Sequence, residues 1–287
     1  MSSYVIVTES STDLTVAETE ALGVTMLDLS VIVEGEEPRN NRDVDVKEFY
    51  ELLRSKKNVT TSAINPEGFA KEFERILAEG KDILYLGFSS GLSSTFSAGK
   101  IAAEELAEKY PERRILVLDT LCASLGEGLL VYLASEEQKR GASLDEVYTF
   151  VKDNMFHLCH EFTVNDLFFL KRGGRVSAAT AVVGTMLNIK PVMHVDNEGH
   201  LVKTGIARGR KASLDALVAK AVRKAIRPEE QVMYICHGDC VEDAEYVAAK
   251  LKSELSVPEV RIGYTGPVIG AHSGPGTLAL FYLGTER

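Results

Sequence analysis

Two hydrophobic periods organise the chain. In the first half, short runs of consecutive apolar residues alternate with longer stretches in which apolar residues recur every three or four positions. Residues 4–8, 83–88 and 115–118 are of the first kind and read as buried strands, with a further apolar stretch at 25–33. Residues 16–22, 45–54, 66–78, 95–110, 125–138 and 144–155 are of the second kind and read as helices. In 45–54 the apolar stripe is Val46, Phe49, Tyr50 and Leu53; in 66–78 it is Phe69, Phe73, Ile76 and Leu77. Pro66 suits a first helical turn, where its missing N–H costs nothing. Short apolar strands separated by helices of this length predict a parallel sheet covered on both faces, a three-layer α/β unit.

The second half is less regular. Residues 161–164 fit a strand, Lys171-Arg172-Gly173-Gly174-Arg175 a sharp turn, and 178–187 a helix of small residues. Segments 190–195 and 200–206 flank Asp196-Asn197-Glu198-Gly199, whose residues suit a hairpin turn. A helix at 212–226, a strand at 232–236, a helix at 241–255 and a strand at 260–264 follow. The chain then enters a Gly- and Pro-rich loop at 266–277. A hairpin joined to strand–helix pairs predicts a two-layer unit with a mixed sheet. The change of pattern falls near 155–165, so the expected fold is α/β in two domains, 1–158 and 159–287. No internal repeat or low-complexity tract interrupts either half.

Composition narrows the function classes. With 287 residues the chain exceeds the usual single core, which agrees with two domains of roughly 100–200 residues. The 32 Lys+Arg against 42 Asp+Glu leave a formal charge of −10, which argues against general phosphate-backbone binding and against charge-driven docking on anionic lipid. No apolar run approaches the roughly 18 residues of a membrane span. The first residues lack a basic segment and read as a strand, not a signal peptide. Of the four cysteines, Cys236 and Cys240 bracket His237, but one His and no second ligand pair make a poor zinc site. No metal and no cofactor are expected, and reduced core thiols suit a cytoplasmic protein.

Three polar loops and two basic stretches carry the candidate chemistry. Thr60-Thr61-Ser62-Ala63-Ile64-Asn65-Pro66 precedes a helix, where hydroxyls and free N–H groups favour an anion; plain capping by Asn65 or Ser62 is the simpler reading. Ser89-Ser90-Gly91-Leu92-Ser93-Ser94-Thr95 lies at the carboxyl end of a strand, the usual ligand position in a parallel sheet. It matches neither a Walker loop nor a nucleophile elbow. The loop at 266–277 holds His272, able when protonated to donate to a carboxylate or phosphate. Lys171, Arg172 and Arg175, then Lys203, Arg208, Arg210 and Lys211, are local basic exceptions in an acidic chain, either a solvated face or a docking surface.

Several segments together resemble the DegV family, the fatty-acid-binding proteins that serve bacterial fatty acid kinases. They are Thr8-Glu9-Ser10-Ser11-Thr12-Asp13-Leu14, Thr61-Ser62 with Pro66, Gly91-Leu92-Ser93-Ser94-Thr95-Phe96, and Leu170-Lys171-Arg172-Gly173-Gly174-Arg175-Val176-Ser177. Leu187-Asn188-Ile189-Lys190-Pro191 and Gly270-Ala271-His272-Ser273-Gly274-Pro275-Gly276-Thr277 complete the set. The chain departs from the family pattern at Glu9, where Asp is usual, and at Ala63-Ile64. The resemblance implies two α/β domains with one long-chain fatty acid between them. It further implies a carboxylate held by Thr61 and Ser93, with Ser62 and Ser94 as neighbours, and maps the His of the family's Gly-Ala-His loop to His272. A separate kinase subunit would use ATP to convert the bound acid to acyl-phosphate for phospholipid synthesis.

The physics of a carrier agrees. Burying about 15 methylenes is worth on the order of 12 kcal/mol gross, partly offset by ordering the chain. Hydroxyls, not a buried Arg, are expected to hold the carboxylate, and Arg172, Arg175, Lys203 and Arg208 are expected to dock the kinase. Two rival readings remain. One is a hydrolase of lipid or other esters, using Ser93 or Ser94 with His272; the sequence points to no third group to orient the His. The other is a kinase in its own right, since the family shares a fold with dihydroxyacetone kinase domains, but no nucleotide-binding loop is evident.

Overall fold

A computed structural model describes residues 3–177 and 188–287. In chain order the first part contains β1 (Tyr4–Glu9), α1 (Val16–Leu22), β2 (Thr25–Leu27), β3 (Ser30–Val33), β4 (Arg39–Asn40), α2 (Val46–Arg54) and β5 (Val59–Ser62). It continues with α3 (Pro66–Ala78), β6 (Asp82–Gly87), α4 (Thr95–Lys109), β7 (Ile115–Asp119), α5 (Ser124–Lys139) and α6 (Leu144–Asn154). The second part contains β8 (Leu158–Thr163), α7 (Phe168–Arg172), β9 (Ile189–Val195), β10 (Leu201–Arg208), α8 (Arg210–Lys224) and β11 (Val232–His237). α9 (Val241–Leu255), β12 (Glu259–Tyr264), α10 (Pro267–Ser273) and β13 (Leu278–Leu283) close it. The expected small-residue helix at 178–187 lies outside the described residues.

Local chemistry fixes the helix starts. Thr15 and Glu18 form a reciprocal capping box on α1, and Ser143 and Glu146 do the same on α6. Asn65 caps α3 by accepting from the Gly68 N–H at 2.9 Å, with Pro66 in the first turn. Capping of that loop is therefore real, and it belongs to Asn65, not Ser62.

Among the described residues the sheets are three. β2-β1-β6-β7 is wholly parallel, with β6 buried along its whole length between helices, as the first-half pattern requires. β10-β9-β8-β13-β11-β12 is mixed: only the β11–β12 pair is parallel. The third, antiparallel β4-β3-β5, was not foreseen. The segment read as a loop at 60–62 is in fact its strand β5, since consecutive β-branched Val59, Thr60 and Thr61 suit a pleated edge. The expected loop at 266–277 likewise folds its first half into α10, begun by Pro267 behind Gly266.

α5 is buried on nearly all sides. Leu125, Leu129, Leu130 and Val131 pack in one core with Ile6, Leu84 and Leu118 of the parallel sheet and with Tyr234 and Phe281 of the mixed sheet. A helix apolar around its girth belongs between two layers. The two sheets thus share a layer, and the loops at their facing ends converge.

Candidate functional site

A cavity of about 270 Å³ lies where the three sheets meet. Its apolar wall includes Leu29, Phe88, Leu92, Phe162, Leu170 and Phe281. Its polar members include Thr61 from β5, Ser93 and Ser94 from the β6–α4 loop, His272 from α10, and Arg175. Residues distant in sequence meet here: Thr61 Oγ1 and His272 Nε2, 211 positions apart, share a 2.8 Å hydrogen bond.

Strand geometry separates Thr61 from its neighbour. Successive side chains of β5 point to opposite faces, so Thr61 lines the cavity while Ser62 is exposed and donates to the Ala63 carbonyl at 3.3 Å. The expectation that Ser62 flanks a ligand is corrected on this ground. Ser93 Oγ accepts from the Thr95 N–H at 3.2 Å and pairs with Thr95 Oγ1 at 2.9 Å. Ser94 stands at the N-cap of α4 without a side-chain capping bond.

Arg175 is the second correction. It was expected among the kinase-docking residues, with no buried Arg at the carboxylate, yet Arg175 lines the cavity. Its Nε donates to the Leu92 carbonyl at 3.1 Å and its Nη1 to the Gly173 carbonyl. Among the described residues no carboxylate lies within ion-pair distance, and burial alone pulls its pKa below the usual arginine value. Arg172 is exposed, stacked over the Phe169 ring at 5.2 Å and donating to the Ala271 carbonyl at 3.3 Å. Lys203 shares an outer groove with Arg175, and Arg208 is exposed at the end of the edge strand β10.

His272 is not the cation that its residue type suggested. Burial, with the charges of Arg175 and Arg172, drives its pKa down to about 4, so it is neutral at pH 7. A bound carboxylate acts in the opposite direction. The ring needs the glycine beneath it, because a Cβ on Gly173 would overlap His272 Nδ1. Gly173 was seen only as part of a turn; its packing role has no signal in the sequence alone.

A buried acid network behind the cavity also escaped the sequence reading. Glu9 accepts from the Tyr85 hydroxyl and from the Phe88 N–H at 3.1 Å, so it braces a wall residue of the cavity. Glu127 accepts from Thr8 Oγ1 at 3.3 Å and Ser11 Oγ at 3.0 Å. Burial raises the pKa of both carboxyls, and Glu127 is pushed further by neighbouring Glu9. Asp13, bonded to the cavity residue Ser124, is raised to about 7 by burial.

The hydrolase reading loses its pairing. His272 Nε2 is engaged by Thr61 and Ser93 by Thr95, so neither serine forms a nucleophile–base pair with the imidazole.

The family model described as "Uncharacterised protein, DegV family" matches residues 3–285. The chain belongs to the DegV family. A DegV domain-containing protein of Clostridium perfringens is 43% identical over 289 residues, covering 100% of this chain and 99% of the relative. A DegV family protein from Thermus thermophilus, solved in connection with its fatty acid binding, is 32% identical with a TM-score of 0.87 over 99% of this chain and 100% of that one. DegV from Bacillus subtilis, described as a fatty acid binding protein, is 26% identical with a TM-score of 0.84 over 99% and 100%. The α/β architecture of a parallel sheet and a mixed sheet thus matches that of solved DegV proteins. Among the described residues no helix is long and apolar enough to cross a membrane.

Proposed function

We propose that this chain binds one long-chain fatty acid in the cavity and presents its carboxylate to a separate ATP-dependent kinase in the bacterial cytoplasm, yielding acyl-phosphate for phospholipid synthesis. The observation that carries the reading is a set of hydrogen-bonding groups, Thr61, Ser93, Arg175 and His272, gathered in an otherwise largely apolar cavity. That arrangement suits a ligand with one anionic head and a long apolar tail. The related DegV proteins of Thermus thermophilus and Bacillus subtilis are described as binding fatty acids, which supports the ligand class.

Arg175 joins the head group set because its charge has no carboxylate partner in the described structure, and a fatty acid supplies one. Ser94 remains a neighbour of the head group. Arg172, Lys203 and Arg208, exposed or lining an outer groove, are the residues we assign to docking the kinase. We keep the division into 1–158 and 159–287, with the ligand between the two units; it is supported by the mixed sheet, whose first strand β8 begins at Leu158, one residue before the cut.

Native mass spectrometry of the purified protein tests the reading. A mass increment of one long-chain fatty acid per chain, removable by delipidation and restored by adding the acid, is the expected result. A protein that stays empty with every acid from twelve to twenty carbons overturns it.

A further inference from the structure

The tip of the β9–β10 hairpin, in the second sheet, is fastened to the turn that carries Ser93 in the first. Ser89 makes the connection. It is fully buried, and its Oγ donates to the Gly199 carbonyl at 2.9 Å while accepting from the Gly91 N–H at 3.2 Å. Its own carbonyl accepts from the N–H groups of Leu92 at 3.0 Å and Ser93 at 3.1 Å, and its N–H donates to the Cys122 carbonyl at 3.0 Å. The two backbones also touch: a Cβ on Gly91 would lie 2.8 Å from the Glu198 carbonyl oxygen and 3.0 Å from Gly199.

The tip itself is held in shape. Asp196 Oδ1 accepts from the N–H groups of Glu198 and His200, each at 2.9 Å, and Arg287 Nη1 donates to the Asp196 carbonyl at 3.1 Å. Gly199 has φ +79°, which its lack of a Cβ allows. Val195 and Leu201, on either side of the tip, line the cavity. A hydroxyl that must meet a carboxylate is effective only when its loop is held close to the required place.

We propose that Ser89 is a positioning residue of the head group site, through which the hairpin of the mixed sheet sets the placement of the Ser93 hydroxyl. The proposal rests on the fatty acid reading above. It makes the carboxylate site complete only when the hairpin tip is seated, although no residue of the tip supplies a head group contact.

The test compares a saturated fatty acid with the alcohol of the same chain length on delipidated protein, by calorimetry. Two variants are used: Ser89→Ala, which removes the tie, and Gly91→Ala, which wedges turn and tip apart without deleting a hydrogen-bonding group. Each should lose about tenfold in affinity for the acid and stay within twofold for the alcohol. Equal losses for acid and alcohol, or no loss, overturn the proposal. A wild type that does not prefer the acid overturns the head group reading itself. In that event, and also if Ser89→Ala folds poorly, amide exchange in Gly91→Ala decides the tie without lipid. The Ser93 and Gly199 amides should exchange faster together, and unchanged exchange at Ser93 overturns the proposal.

Discussion

Thr61 Oγ1 and His272 Nε2 stand 2.8 Å apart, one on an edge strand of the small antiparallel sheet and the other on α10. The bond orients the imidazole at one side of the cavity, while burial and the charges of Arg175 and Arg172 keep it neutral. Because β5 alternates its faces, Thr61 and Ser62 are neighbours in sequence with opposite surroundings. Thr61→Val should therefore weaken fatty acid binding by roughly 10- to 150-fold, the loss of one charge-assisted hydrogen bond of about 1.5–3 kcal/mol. Ser62→Ala should leave it within twofold. Calorimetry with the corresponding fatty alcohol as control separates head group loss from damage to the tail site.

Most helices could be read from the chain because their apolar stripes and caps are local: Phe69, Phe73, Ile76 and Leu77 with Asn65 and Pro66 define α3 almost to the residue. The strand β5 could not, since its partners lie at Ser30–Val33 and its polar Thr60, Thr61 and Ser62 resemble a loop until that pairing is known. β13 is a continuous apolar run buried on both faces, which periodicity alone does not separate from a helix. Thr61, Ser93 and His272 stood out in the polar loops, and the motif resemblance joined them in one expected site; the structure brings all three to one cavity. Arg175 was misplaced because charge pattern says nothing about which side of a turn faces inward, and the acids Glu9 and Glu127 look ordinary until burial is known.

The two arginines of different environment should separate in function. Arg175→Gln should lower acid affinity by tenfold or more and leave alcohol affinity nearly unchanged, since the lost partner is the carboxylate. Arg208→Ala should keep wild-type lipid affinity. With the cognate kinase its acyl-phosphate formation should fall by tenfold or more and depend less on salt, because exposed charges act through screened attraction. Normal phosphorylation by Arg208→Ala would leave that residue as solvated surface.

His272 links stability to acid. Its pKa of about 4 in the folded chain lies below the ordinary histidine value of 6.5, so the unfolded chain takes the proton more readily. Its contribution is present above pH 6.5 and is lost as pH falls toward 4, on the order of 3 kcal/mol over that window. His272→Gln should flatten the fall in unfolding free energy between pH 6.5 and 4.5. Denaturant titrations of both proteins across that range check the slope. An unchanged slope would mean that other groups govern acid lability.

The Glu9–Glu127 network gives the opposite sign. Both carboxyls titrate above the ordinary glutamate range because burial disfavours their charge, so the folded chain holds protons that the unfolded chain releases. Their contribution is complete below about pH 4.3, the unfolded value, and declines as pH rises through the folded values. For Glu9 the folded value is about 7. Tyr85 donates to Glu9, and Thr8 and Ser11 donate to Glu127, yet among the described residues no Lys or Arg is paired with either. Glu127→Gln supplies the neutral form permanently, keeps a carbonyl acceptor for one of the two hydroxyls, and removes the charge that Glu9 opposes. It should raise the melting midpoint at pH 8.5 by several degrees relative to wild type, with little or no gain at pH 5.5. A gain of equal size at both values would point to packing, and a loss at both would show that Thr8 and Ser11 need two acceptors more than the network needs a fixed proton.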